Sequence, residues 1–472
     1  MRKRMGILVG VFAVLLAVCS LFGCGNTPAS GGGSSSASSS SQAASSSSSA
    51  KVESTYANAW KKKDGYTLKQ VVAMSRHNLR APQDKTIDTL VKSTPHSWIE
   101  WTAGGSELTN KGGVAETIMG EFFRTWLEDE GLIAHNYIPE DGAVRFYSNP
   151  RQRTLATTQY FSSGMLPVGN VKVEYHGEYD SRDTVFMPRF FYTSDSYAKA
   201  ATDQIASQGG NAGLAGLDAD LQPSYDLITE VLDYKNSAAF KDGGKELKTG
   251  DATYEVKKEE EPKVKGSLAT ANPLSDALVL QYYEAANDAE AGFGKELSRD
   301  QWMQIAAAKN AYGDRRYNSK LVGVDCAHQL VDAISEELGK DGRKFSFLCG
   351  HDSNQSSLLH ALGVTDYTLP DTIETKTPIG GKILFEIYEN ASGEQLCNIR
   401  YVYATTDQVR ALSPLTLVTP PASYDLEFEG IKRNADGMYK LEDVKKLLSD
   451  TSAAYDKLAT DYPEQQELKQ AA

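Results

Sequence analysis

The sequence predicts an α/β fold: a mostly parallel sheet flanked by helices and interrupted by a largely helical insert. Three observations carry this expectation. Strand-like apolar runs alternate with helical patterns toward both ends of the chain, the arrangement of parallel sheets. The middle of the chain is dominated by helical periodicity. Three short polar stretches each begin where a predicted strand ends, where open α/β sheets build ligand sites.

YTLKQVVAMS, from Tyr66 to Ser75, reads as a buried strand. GGVAETIMGEFFRTWLEDEGL reads as a helix. Ile118, Met119, Phe122, Phe123, Trp126 and Leu127 recur at three-to-four spacing, and Gly131 is a stop signal. GAVRFYSN is a strand. PRQRTLATTQYFSSGML is a helix with Pro150 suited to its first turn, and VKVEYHG is another strand. From about Phe191 to Asn318 the patterns are helical, as in SYDLITEVLDY, LSDALVLQYYEAAND and RDQWMQIAAAKNAY. Between them DGGKELKTGDATYEVKKEEEPKVKG is charged and poor in large apolar residues, and is expected to be a solvated excursion. The α/β pattern returns with a helix, GVDCAHQLVDAISEELG, a strand, RKFSFLCG, and a helix, SNQSSLLHALG. GGKILFEIYE and QLCNIRYVYA are expected to form a hairpin joined by NASGE, and EDVKKLLSDTSAAYDKL closes the chain as a helix.

The first residues are of another kind. Arg2, Lys3 and Arg4 precede GILVGVFAVLLAV, a secretory leader pattern too short to span a bilayer comfortably. LFGC ends at Cys24 and resembles a bacterial lipoprotein cleavage box, although Phe22 is bulkier than the usual small residue. The Ser/Gly-rich tract after it cannot bury enough apolar surface to fold and reads as a tether. The expected organisation is a leader with its lipidated Cys24 over 1–24, a tether over 25–55, core over 56–190, helical insert over 191–318 and core again over 319–472. Such a chain is exported and held by a lipid anchor on the outer face of the cell membrane, or on a periplasmic-side membrane.

Formal charge is −13 over 472 residues, which disfavours nucleic acid as a partner. Any anion site must therefore be a local cluster of cations. Beyond the leader only Cys326, Cys349 and Cys397 remain, so this is no disulfide scaffold, and spacing does not choose a pair among them.

The three polar stretches supply such clusters. Arg76-His77-Asn78-Leu79-Arg80 follows the first strand. Arg151-Gln152-Arg153-Thr154 opens one helix, and Gly350-His351-Asp352-Ser353-Asn354 opens another. Free N–H groups at helix starts favour anions. Arginines, two histidines and a carboxyl are the groups phosphoryl transfer requires. The remaining histidines, His96, His135, His176, His328 and His360, form no HxH or HxxxH pair. There is no HExxH, CxxC, Walker A or GxGxxG, so the sequence calls for no metal and no cofactor.

RHNLRAP together with GHDSN resembles the histidine acid phosphatases, the phytase-containing branch of the histidine phosphatase superfamily. SNPRQRTLAT, DTVFMP, DALVLQYYEA and TPIGGKILFE extend the resemblance in order between Arg76 and Glu386. Asn78, where the family more often has Gly, is the variant of its glucose-1-phosphatase members. The resemblance implies an acid phosphatase acting on small-molecule phosphomonoesters: glucose 1-phosphate, other sugar phosphates or phytate. His77 would be the nucleophile, forming a phosphohistidine, which requires a neutral imidazole whose other nitrogen donates to an acceptor. Arg76, Arg80 and Arg153 would clamp phosphate with guanidinium forks. Arg151 lies about 200° from Arg153 on a helix, so both cannot face one pocket, and the family places its arginine immediately before Thr. His351 would donate to the same oxygens and Asp352 would protonate the leaving group. Glu284 matches a sugar-binding glutamate of the glucose-1-phosphatase group, though Ala285 and Ala286 replace the Gly-Phe expected after it.

Two other readings have different signatures. A lipobox and tether also precede solute-binding lipoproteins, which could hold a sugar phosphate without turnover. Such a protein has no use for a nucleophile and an acid together. A phosphomutase of the same superfamily would need neither export leader nor large insert.

Overall fold

The computed structural model describes residues 55–464. The leader, Cys24 and nearly all of the tether lie outside the described residues. The strands are β1 (Tyr66–Arg76), β2 (Val144–Ser148), β3 (Val173–Glu174), β4 (Thr253–Glu255), β5 (Lys263–Lys265), β6 (Phe345–Gly350), β7 (Lys382–Asn390), β8 (Gln395–Tyr403), β9 (Ala422–Asp425) and β10 (Tyr439–Lys440). Eight form one sheet in the order β10-β8-β7-β1-β6-β2-β3, with β9 on β8. β3, β2, β6 and β1 run parallel. The hairpin of β7 and β8 joins β1 antiparallel, so the sheet is mixed.

Strand alternation sorts the core into two layers. Val71 and Ala73 of β1 face a cluster with Phe122, Phe123, Trp126 and Phe161 from the helices Asn110–Glu130 and Gln152–Met165. Val72 and Met74 face Val331, Ile334, Leu358 and Leu448 from the helices Lys320–Glu337, Asp352–Ala361 and Leu441–Asp456. Covered on both sides, β1 is buried continuously from Gln70 to Arg76. The first two helices cross where only glycine fits. A Cβ on Gly120 would lie 2.2 Å from the Phe161 carbonyl oxygen, and one on Gly164 would lie 2.3 Å from that of Thr117.

Between β3 and β6 the chain is helical apart from the β4–β5 hairpin. Tyr225, Ile228, Leu278, Trp302 and Ile305 build an apolar cluster there, and Leu79, Leu90 and Val322 join it. The helix predicted from Leu274 begins at Ser267 and passes through Pro273. The strand expected over 171–177 shrinks to the two residues of β3 at the sheet edge. The charged excursion pairs as β4 and β5. Registers at the centre of the sheet place three strand ends together, with Arg76 beside Gly350 and Ser148 beside Cys349. The loops leaving β1, β2 and β6 therefore emerge at one edge. Cys326, Cys349 and Cys397 are all buried free thiols, which leaves none of the possible pairs bridged.

Candidate active site

The three loops form one side of a cavity of about 330 Å³, to which they contribute His77, Arg80, Arg153, His351 and Asp352. Arg76, fully buried, lies behind it and reaches to within 3.6 Å of Asp352. Six cationic side chains (Arg80, Lys85, Arg153, Arg182, Lys309, Arg316) face three carboxylates across the lining. In a chain of charge −13 this is the local reversal an anion site needs.

His77 follows β1 directly, and its N–H donates to the Gly350 carbonyl (3.0 Å), tying the β1 and β6 ends together. Its Nδ1 lies 2.8 Å from the Asn78 carbonyl. A carbonyl only accepts, so Nδ1 carries the proton and Nε2 keeps its lone pair. Burial first, then Arg153 and Arg76, push the imidazole well below its ordinary range and hold it neutral. Asn78 points elsewhere: its Nδ2 donates to buried Glu116 (2.7 Å), which also pairs with Lys382 (2.8 Å). Gly380 makes room for it at a positive φ of 65°, and a Cβ there would come within 2.5 Å of the Asn78 amide.

Two of the guanidinium groups are fixed by carboxylates. Arg76 Nη1 donates to buried Glu374 (2.8 Å), which Lys309 also contacts. Arg80 Nη2 donates to Asp276 (2.9 Å), and Lys309 stands 3.8 Å from the same carboxylate. Burial first, then Arg80, push Arg153 down to about 9, the mark of a cation held among cations. Arg76 Nε and Nη2, Arg80 Nε and Arg153 Nε are buried without a hydrogen-bond partner. Orphaned buried donors are costly, and a phosphate's oxygens are acceptors of the matching charge.

His351 stands at the N-terminus of the helix Asp352–Ala361, its ring edge-on to His77 with centroids 5.5 Å apart. Its backbone N–H donates to Asn354 Oδ1 (2.9 Å), and Asp352 Oδ1 accepts from the Ser353 N–H (2.8 Å), which leaves its Oδ2 toward Arg76. Asp352 keeps 36% of its side chain exposed. Burial raises its carboxyl, but cations, Arg76 first and then Lys309, outweigh that and hold it well below the usual carboxylate range.

Glu284, expected at the site, does not reach the cavity. Glu284 ends the helix Ser267–Glu284, eight residues past Asp276, about 12 Å farther along its axis. It accepts from Thr102 (3.1 Å) and Thr109 (2.9 Å) hydroxyls instead. The carboxylate this helix brings to the cavity is Asp276, beside Asn272 and Pro273. Arg151 turns away as its spacing from Arg153 predicts, and pairs with Asp180 (3.1 Å). The charged excursion does contribute: the β4–β5 loop delivers Glu261, which pairs with Arg316 (3.2 Å) and Arg182 (3.2 Å) in the lining. Lys309 carried a signal that sequence reading passed over. It continues the apolar phase of Trp302 and Ile305, where a cation has no reason to be unless paired. Glu374, in TIETKTP, had none.

A family model described as histidine phosphatase superfamily (branch 2) matches residues 67–404. The chain is 36% identical over 391 residues to a glucose-1-phosphatase of Salmonella typhimurium, covering 82% of this chain and 93% of that one. It is 27% identical to the phytase AppA of Escherichia coli, over 81% of this chain and 91% of the relative. The fold superposes on the phytase of Citrobacter braakii with a TM-score of 0.74 at 24% identity, covering 82% of this chain and 98% of that structure.

Proposed function

This chain belongs to branch 2 of the histidine phosphatase superfamily and is a phosphatase, and on that premise we propose that it cleaves sugar phosphomonoesters through a phosphohistidine on His77. The observation that carries the reading is a neutral imidazole, its Nε2 bare, sharing one cavity with the Asp352 carboxyl and with orphaned guanidinium donors.

Nε2 of His77 attacks phosphorus and the bond to the ester oxygen breaks. Arg76, Arg80, Arg153 and His351 hold the three equatorial oxygens, on which transition-state charge is spread. Asp352 gives its proton to the departing alkoxide. The resulting carboxylate then takes a proton from the water that attacks the phosphohistidine, releasing inorganic phosphate and restoring both groups.

In the resting site the cations hold Asp352 ionised. A bound phosphate reverses that balance, because its charge neutralises the arginines and repels the carboxylate. The second proton of a phosphomonoester leaves near pH ~6, so at lower pH the substrate monoanion brings the proton that Asp352 requires. Acidic working conditions follow from the site's own charges.

Glucose 1-phosphate suits the cavity's size, with Asp276, Asn272 and Lys309 beside it as partners for hydroxyl groups. Phytate is the second reading, favoured by the six cations of the lining. For location, the leader and Cys24 support export and a lipid anchor. No helix among the described residues is long and apolar enough to cross a membrane.

Acid-quench trapping with phosphorus-labelled substrate tests the mechanism. Label is expected on His77 and absent from His77→Ala; label elsewhere refutes the assignment. Hydrolysis of glucose 1-phosphate against phytate across acidic pH decides the substrate. Incorporation of radiolabelled palmitate, lost in Cys24→Ala, tests the anchor.

A further inference from the structure

The end of β2 carries a buried side chain that the reaction scheme does not use. Asn149 has no exposed surface. Its backbone N–H donates to the Cys349 carbonyl (2.9 Å), and its own carbonyl accepts from the Ser148 hydroxyl (2.8 Å). Its side chain is equally constrained. Oδ1 accepts from the backbone N–H of Asp183 (3.1 Å), and Nδ2 lies 2.7 Å from His351 Nε2.

These contacts favour one tautomer against competing donors at the other ring nitrogen, where Arg153 Nη2 and the Asn354 backbone N–H approach the ring. A backbone N–H only donates, so the amide oxygen must face Asp183 and the NH₂ must face His351. An amide NH₂ also only donates. With Nε2 accepting from that amide, the single ring proton sits on Nδ1. We propose that Asn149 is a positioning residue that holds His351 as the neutral Nδ1–H tautomer. The role this gives His351 in holding phosphate rests on the phosphatase mechanism proposed above; the tautomer itself does not.

A second contact gives the arrangement its purpose. Arg153 Nη2 lies 3.3 Å from His351 Nδ1. With Nδ1 protonated, both groups are donors and cannot satisfy each other. Both N–H groups are then left for an acceptor such as a phosphate oxygen. A bare Nδ1 would consume one Arg153 donor and leave the imidazole with no N–H to offer on that side. The charged and titratable neighbours of His351 are Arg153, Arg151 and Arg182, His77 across the cavity, and Asp352 on its own helix. The cations outnumber the one carboxylate, so a second proton on the ring is opposed from several sides as well as by the Asn149 amide.

The test is long-range ¹H–¹⁵N spectroscopy of enzyme labelled with [¹⁵N]histidine, with His351 assigned by its loss in His351→Gln. Expected in the wild type is a protonated Nδ1 and a bare Nε2 across the acidic range. Asn149→Asp replaces the donor by an acceptor. It should protonate Nε2 as well and keep the imidazolium to at least about one pH unit higher, a tenfold change in proton affinity. Asn149→Leu, similar in size and unable to donate, should give a mixture of tautomers. If neither variant folds, the wild-type spectrum alone decides: a protonated Nε2 there overturns the proposal. An unchanged His351 pattern in both folded variants overturns it equally. Addition of inorganic phosphate separates the two readings. A downfield shift of the Nδ1 proton supports both. The expected tautomer with no response to phosphate leaves the Asn149 assignment standing and refutes the role of His351 as a phosphate donor.

Discussion

Replacing Asp352 by Asn should separate two things the carboxyl does, because Asn keeps its shape and removes both its proton and its charge. As general acid, Asp352 contributes roughly 10²–10⁴ in rate when the leaving group is a poor one, or about 3–5 kcal/mol of barrier. Glucose 1-phosphate should lose that factor. An aryl phosphate leaves as a stabilised phenolate, so its first turnover should slow by less than about tenfold. Later turnovers should be slow for both substrates, since the same carboxylate activates water. The charge has the opposite effect on binding. Asp352 stands 3.6 Å from Arg76, so a phosphate held by that arginine lies near the carboxylate. Two like charges about 4 Å apart repel by about 4 kcal/mol at an effective dielectric of 20. With 36% of the side chain exposed, solvent screening lowers this to about 1–2 kcal/mol. Asp352→Asn should therefore bind inorganic phosphate about 5–30-fold more tightly. Rapid-quench measurement of the first turnover, with phosphate inhibition measured alongside, reads both effects. Equal losses for both substrates in the first turnover, with unchanged phosphate affinity, would refute the assignment.

Three further outcomes follow from the same structure. Lys309→Met removes a cation that helps Arg76 hold Asp352 ionised while leaving Arg76 on Glu374; the alkaline limb of kcat/KM should move to higher pH, and an unmoved limb contradicts the coupling. Gly120→Val should cost at least about 1–3 kcal/mol in urea unfolding, because its Cβ meets the Phe161 carbonyl at 2.2 Å, and should leave the pH profile of the folded enzyme unchanged. Burial raises Asp325 to about 7, so the folded chain holds a proton the unfolded chain has released. The stability from that proton is full below the ordinary carboxyl range and lost as pH rises toward 7. Asp325→Asn, which can still accept from the Phe191 and Tyr192 N–H groups, should flatten that loss, measured as melting temperature from pH 4 to 8.

Much of this molecule was legible in its sequence because the relevant rules are local. The apolar run of β1 and the helical spacing of Phe122, Phe123 and Trp126 are properties of neighbouring residues, and each became the element its period implies. RHNLR, RQRT and GHDSN stand at strand ends, and a parallel sheet gathers such ends at one edge whatever lies between them. Chain geometry alone excluded Arg151 once Arg153 was chosen.

What the local rules could not supply is distance through space. Glu284 and Asp276 share a helix, and only its packed direction brings Asp276 to the cavity and carries Glu284 past it. Glu374, Lys309 and Glu261 come from three separate stretches, and none carries a motif; their importance lies in opposite charges that meet only when those stretches pack. A sequence orders residues along one dimension, where periodicity and strand-end position can be read. Coulomb's law acts over ångströms in three, so the protonation states of His77, His351 and Asp352 were settled only when the chain closed around them.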